Sequence, residues 1–148
     1  MAAKPPFLVV VRNLVRCYQA FEMFSAANIR ELDLTPSQFD IIATLGNTKG
    51  MTSKQLGEKT LITKGTLTGV VDRLIAKNLV RRVQCEFDGR SQIVQLTPEG
   101  EAMFDKVFPA HREYMSRAFV DFTADDYAQT EAVLCRLHRA FAAGVKKP

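Results

Sequence analysis

Lys64, Thr66, Thr68 and Arg73 recur at helical spacing along a segment whose opposite side is apolar. Ammonium, guanidinium and hydroxyl groups set in one row donate hydrogen bonds to phosphate oxygens and base edges. Arg90 stands two residues after Asp88 in Phe87-Asp88-Gly89-Arg90, and Asp-Gly between β-branched runs is a hairpin signal. A guanidinium at a hairpin tip suits the narrow minor groove and its negative potential. Asp88 reads as structural, satisfying turn amides and pairing with Arg90. Ser53, Thr63, Ser91, Arg81 and Arg82 lie close enough in sequence to complete a phosphate-binding surface.

Catalytic alternatives find little support. There are 2 His, no Gly-x-Ser-x-Gly, no Gly-rich phosphate loop, and carboxylates scattered at helix starts, where capping explains them. The 3 Cys (Cys17, Cys85, Cys135) form no paired motif, so reduced thiols are expected rather than a disulfide framework. Cys135 and His138 share a helix face, but two ligands do not make a zinc site and His111 would have to join them. No metal and no cofactor is expected.

Charge distribution agrees with the residue reading. Of a net +4, the stretch Lys49 to Arg90 holds nine cations against four acids, leaving the remainder slightly acidic. The 148 residues, 47% hydrophobic and 24% charged, can bury a core without staples. The apolar run Phe7 to Val11 is far short of a membrane span, which takes about 20 residues. A cytoplasmic location is expected.

Helix starts position these groups. Thr35-Pro36-Ser37-Gln38 and Thr52-Ser53-Lys54-Gln55 are capping boxes; Thr97-Pro98-Glu99 and Thr123-Ala124-Asp125-Asp126 carry further caps. They predict six helices, over residues 7–27, 36–45, 53–59, 64–77, 98–122 and 124–143. Two strands, 80–85 and 92–96, flank the Asp-Gly turn. In the fourth helix Leu67, Val70, Val71, Leu74 and Ile75 face inward, leaving Lys64, Gly65, Thr66, Thr68, Gly69, Asp72 and Arg73 outside. A short capped helix, a three-residue turn, this helix and a basic hairpin make a winged helix-turn-helix.

At these residues the chain resembles the MarR family of bacterial transcriptional regulators. The likeness runs from Leu34-Thr35-Pro36-Ser37-Gln38-Phe39 through Ile62-Thr63-Lys64-Gly65-Thr66-Leu67-Thr68 and Val71-Asp72-Arg73-Leu74. It continues through Leu79-Val80-Arg81-Arg82 and Asp88-Gly89-Arg90-Ser91 to Val94-Gln95-Leu96-Thr97-Pro98-Glu99-Gly100. The resemblance implies a mainly α fold with a small β-hairpin wing and an intertwined homodimer. Such a dimer binds a pseudo-palindromic promoter site in double-stranded DNA, most often as a repressor released by a small aromatic or anionic effector or by oxidation. Gly69 stands where relatives often carry Arg, Phe87 where an acid is common, and Pro109 inside the fifth helix, where a kink is expected.

Residues 34–97 are then the DNA-binding domain, and 1–33 with 98–148 the helical dimerisation region. Those flanking helices carry more apolar surface than one protomer can cover. Where the first, second and fifth helices converge, Tyr18, Phe24, Phe39, Arg112 and Tyr114 are the candidates for a ligand cleft. Cys17 and Cys135 read as small core residues. Cys85 is expected to be exposed, beside Arg81 or Arg82, which would make it the thiol of a redox-responsive variant of the same regulator. A winged helix used only for protein contact is the other alternative, and it would show exposed aromatics in place of cations and hydroxyls.

Overall fold

A computed structural model describes residues 2–60, 62–85 and 89–145; Phe87 and Asp88 lie outside the described residues. Two units make up the chain, Met1–Tyr114 and Met115–Pro148. The described residues hold six α-helices: α1 Pro6–Glu31, α2 Pro36–Leu45, α3 Ser53–Thr60, α4 Lys64–Ala76, α5 Pro98–Ser116 and α6 Ala124–Gly144. Strands β1 Met51–Thr52, β2 Val80–Gln84 and β3 Gln92–Leu96 form one antiparallel sheet in the order β1-β3-β2. This is the winged helix-turn-helix expected from the caps and the hairpin.

Local chemistry accounts for the starts. At α2 the Thr35 hydroxyl accepts from the Gln38 amide at 3.2 Å while Gln38 Oε1 accepts from the Thr35 amide at 3.1 Å. Thr52 and Gln55 repeat the exchange before α3, and Thr123 and Asp126 before α6. Thr97 works differently: its hydroxyl accepts from the Gly100 amide and donates to the Asn78 carbonyl at 2.7 Å, tying α5 to the end of α4. Gly100 is required there, because a Cβ would collide with the Leu79 carbonyl oxygen.

Packing follows the apolar stripe of α4. Leu67, Val70, Val71 and Leu74 are buried against Ile41, Ile42 and Leu45 of α2, Leu56 of α3, and Val80 and Val94 of the sheet. Each such side chain contributes roughly 1.5–3 kcal/mol of burial. Phe104 and Val107 of α5 complete this core.

Several expectations are corrected. α1 runs to Glu31 rather than residue 27, since Asn28 and Ile29 continue its inward face and Asp33, at φ 64°, makes the turn. α5 ends at Ser116, where the chain tightens into a 3₁₀ turn at Arg117–Phe119 instead of staying helical to 122. Pro109 lies inside α5, where the sequence places it, and both Pro109 and Asp105 are exposed. β1 adds a third strand, pairing Met51 with Val94 and Thr52 with Ile93. Cys17 and Cys135 are exposed, not core, because α6 buries none of its described residues and α1 buries only Ile29. Cys85 is half-buried.

Candidate nucleic-acid interface

Four elements build one polar face. The outer side of α4 presents Lys64, Gly65, Thr66, Thr68, Asp72 and Arg73, all exposed, with Gly69 half-buried among them. Thr63 precedes the helix in extended conformation, and its hydroxyl makes no cap bond but donates to Thr66 Oγ1 at 3.1 Å. Ser53, exposed at the first position of α3, joins Lys54, Gly57, Glu58, Ile62, Lys64 and Leu67 around a groove of about 480 Å³ between α3 and α4. Apart from adjacent residues and the nearby backbone of α4 itself, no atom of the described residues stands within 4 Å of where a Cβ on Gly65 or Gly69 would sit. Two glycines inside a 13-residue helix cost about 1 kcal/mol each relative to Ala. Nothing among the described residues requires them.

The wing arginines are held by protein partners. Arg82 Nη2 lies 2.8 Å from Asp72 Oδ1, bridging β2 to α4. Arg81 Nε donates to Gln95 Oε1 at 2.7 Å across the register pair Arg81–Gln95, and Gln95 Nε2 donates to the Lys49 carbonyl at 3.2 Å. Both guanidiniums thus have partners other than Cys85, whose amide donates to the Ser91 carbonyl at 2.9 Å. Gln84 Nε2 donates to the Gly89 carbonyl, closing the described part of the wing, in which Arg90 is exposed and Ser91 half-buried. The expected pairing of Asp88 with Arg90 lies outside the described residues.

A second feature lies where α1, α2 and α5 meet. A cavity of about 520 Å³ is lined by Tyr18, Phe21, Glu22, Met23, Ser25, Ala26, Ile29, Arg30, Pro36, Phe39, Asp40 and His111. Of the five expected cleft residues, Tyr18 and Phe39 line it. Phe24 and Tyr114 instead stack on each other at 4.5 Å between ring centroids, and Arg112 lies over the Phe108 ring, so these three are outside the lining. His111 joins the lining although it was not among the expected cleft residues: Nδ1 is 2.9 Å from Asn28 Oδ1, Nε2 is 3.2 Å from Ser25 Oγ, and its ring meets Phe39 edge-on at 4.6 Å. Burial pushes the His111 pKa below its ordinary value. Burial likewise raises that of Asp40, and the neighbouring Glu22 carboxylate raises that of the Tyr18 phenol.

With this geometry in place, comparison with known proteins decides the assignment. The model of the MarR family matches residues 32–91. The HTH-type transcriptional regulator YkoM of Bacillus subtilis is 30% identical over 126 residues, 82% of each chain. The chain belongs to the MarR family. Among solved structures, the MarR regulator Sco3205 of Streptomyces coelicolor, in complex with DNA, superposes with a TM-score of 0.80. It is 21% identical and the match covers 99% of this chain and 92% of that one. BpsR of Bordetella bronchiseptica, whose DNA binding is regulated by 6-hydroxynicotinic acid, matches with a TM-score of 0.76 and 24% identity, covering 87% and 98%. As a MarR family member this chain is a DNA-binding transcriptional regulator and not an enzyme. No helix among the described residues is long and apolar enough to cross a membrane.

One signal for the place of His111 in the cleft was present in the MarR chain's sequence. Phe104 and Val107 take the inward positions of α5, and His111 takes the next, an imidazole at core spacing. Such a group needs partners, and Ser25 and Asn28, three apart on α1, supply them.

Proposed function

We propose that this MarR protein is a homodimeric repressor that occupies a pseudo-palindromic promoter site and excludes polymerase. The observation that carries the reading is the outer face of α4: exposed hydroxyls and cations around two glycines that have no packing role. A helix so built can approach a groove wall closely, with Lys64, Thr66, Thr68 and Arg73 toward DNA. Ser53 and Thr63 add phosphate contacts beside it. Arg90 and Ser91 serve the backbone and minor groove from the wing, with Asp88 directing Arg90. Arg81 and Arg82 shape the wing and contribute positive potential. Apart from Phe87, the segment 53–96 contains no aromatic residue, which argues against a wing built for protein contact.

Residues 34–97 read DNA in this account, and 1–33 with 98–148 dimerise. Phe7, Leu8, Val9, Val10 and Val11 are 36–63% exposed, and five successive residues point around the whole helix. Val120, Val133, Leu134 and Phe141 are also exposed in the isolated chain. Intertwining two chains would cover such surfaces and place two α4 helices about 34 Å apart, one DNA turn. The α1–α2–α5 cleft is the effector site, and a small aromatic ligand there would shift the spacing of the two heads if it favoured one spacing. The test is a gel shift against the DNA upstream of the protein's own coding sequence. A retarded band that competes with specific but not unrelated duplex is expected; no shift at micromolar protein would reject the reading.

A further inference from the structure

The charges around the α1–α2–α5 cleft are mainly acidic. Glu22 and Asp40 place two carboxylates in the lining, against Arg30 as the one cation among the described lining residues. His111 is held toward its neutral form by burial, and the Tyr18 phenol toward its protonated form by Glu22 and, less, Asp40. Both carboxylates line the same cavity as this phenol. Neither carboxylate forms an ion pair among the described residues. Desolvation raises the Asp40 pKa. The apolar part of the lining is aromatic: Tyr18 and Phe21 lie 6.3 Å apart between centroids, and Phe39 is buried on the other side.

We propose that the cleft takes an aromatic cation, its charge facing Glu22 and Asp40 and its apolar body lying against Tyr18, Phe21 and Phe39. Carboxylates without counterions attract positive charge, and aromatic faces stabilise it further through their quadrupoles. An aromatic carboxylate would meet two like charges with Arg30 as the one described cation to offset them. The cavity holds a molecule of several rings, since ligand sites of about 300–1,000 Å³ accept drug-sized compounds. The inference rests on the effector reading of the cleft and names the class of that effector.

Tetraphenylphosphonium and tetraphenylborate are nearly equal in size and opposite in charge, so their comparison isolates the sign. Isothermal titration of the full chain is expected to give at least tenfold tighter binding of the phosphonium. The double variant Glu22→Gln/Asp40→Asn should lose at least tenfold of that affinity, with circular dichroism verifying that it is folded. If the double variant is unfolded, Asp40→Asn alone should lose at least threefold. Borate binding as tight as phosphonium, or tighter, would overturn the cation assignment while leaving the cleft an effector site. Phosphonium affinity unchanged by the variants would place the probe elsewhere and also overturn it. Binding of neither probe would reject both the cation assignment and the effector reading of the cleft.

Discussion

Asp72 and Arg82 join the outer, polar side of α4 to strand β2 through a contact of 2.8 Å between Oδ1 and Nη2. Both side chains are partly exposed, so the pair contributes at most about 1 kcal/mol to stability. Its value lies in fixing the wing relative to the helix. Two roles for Arg82 can be told apart by removing its partner. If Arg82 mainly contacted phosphate, Asp72→Ala would release it and strengthen DNA binding. The positioning role instead predicts that Asp72→Ala and Arg82→Ala each weaken binding, by roughly threefold to tenfold, with little change in melting temperature. Fluorescence anisotropy with labelled promoter duplex measures this.

Gly69 separates stability from function. With φ in the helical range and open space around the missing Cβ, Gly69→Ala should stabilise the fold by roughly 0.5–1 kcal/mol. The added methyl also stands on the face proposed to approach DNA, so affinity should fall. Thermal melting and anisotropy on the same variant check both halves. A variant that is more stable and binds DNA equally well would remove close approach from the account.

Gly100 gives the opposite outcome. A Cβ there meets the Leu79 carbonyl, a backbone atom that cannot swing aside. Gly100→Ala is expected to destabilise by about 2–4 kcal/mol, since overpacking and loss of the Thr97–Gly100 cap act together. Denaturant unfolding measures it.

His111 makes stability depend on pH. Its folded pKa lies below its unfolded value of 6.5, so the unfolded chain binds more protons just below that pH. Stability is therefore fully present above about pH 6.5 and declines as pH falls toward the lower, folded pKa. Asp40, whose pKa burial raises, is present in the natural chain and in His111→Gln alike, so its contribution cancels between them. Melting temperatures at pH 7.5 and 5.5 should differ more for the natural chain than for His111→Gln, which retains hydrogen-bonding capacity without titrating.

Much of this fold was readable in advance because its signals are local. The capping exchange of Thr35 with Gln38 spans three residues, and α2 begins and ends where that motif and the apolar spacing place it. The same holds for β3 and for the buried side of α4. Long-range relations were less legible. β1 is two residues long and exists through pairing with β3, more than forty positions away, where no periodicity can announce it. Asn28 was lost with the premature end of the first helix, and with it the partner that fixes His111. Arg82 carries no local sign that Asp72 is its partner, ten positions earlier in sequence and on another element. Cys17 and Cys135 have core-like neighbours in sequence, but in the isolated chain those neighbours are exposed as well.

Salt dependence tests the central claim most directly. Anisotropy titrations of the promoter duplex between 50 and 200 mM salt should give log affinity falling linearly with log salt, at about −0.9 per phosphate neutralised and for about 6–10 phosphates per dimer. Arg90→Ala should make that slope shallower by about 2, one contact for each of two wings, while base preference stays the same. A natural chain whose affinity ignores salt, or an Arg90→Ala dimer with an unchanged slope and affinity, would contradict DNA recognition by α4 and the wing.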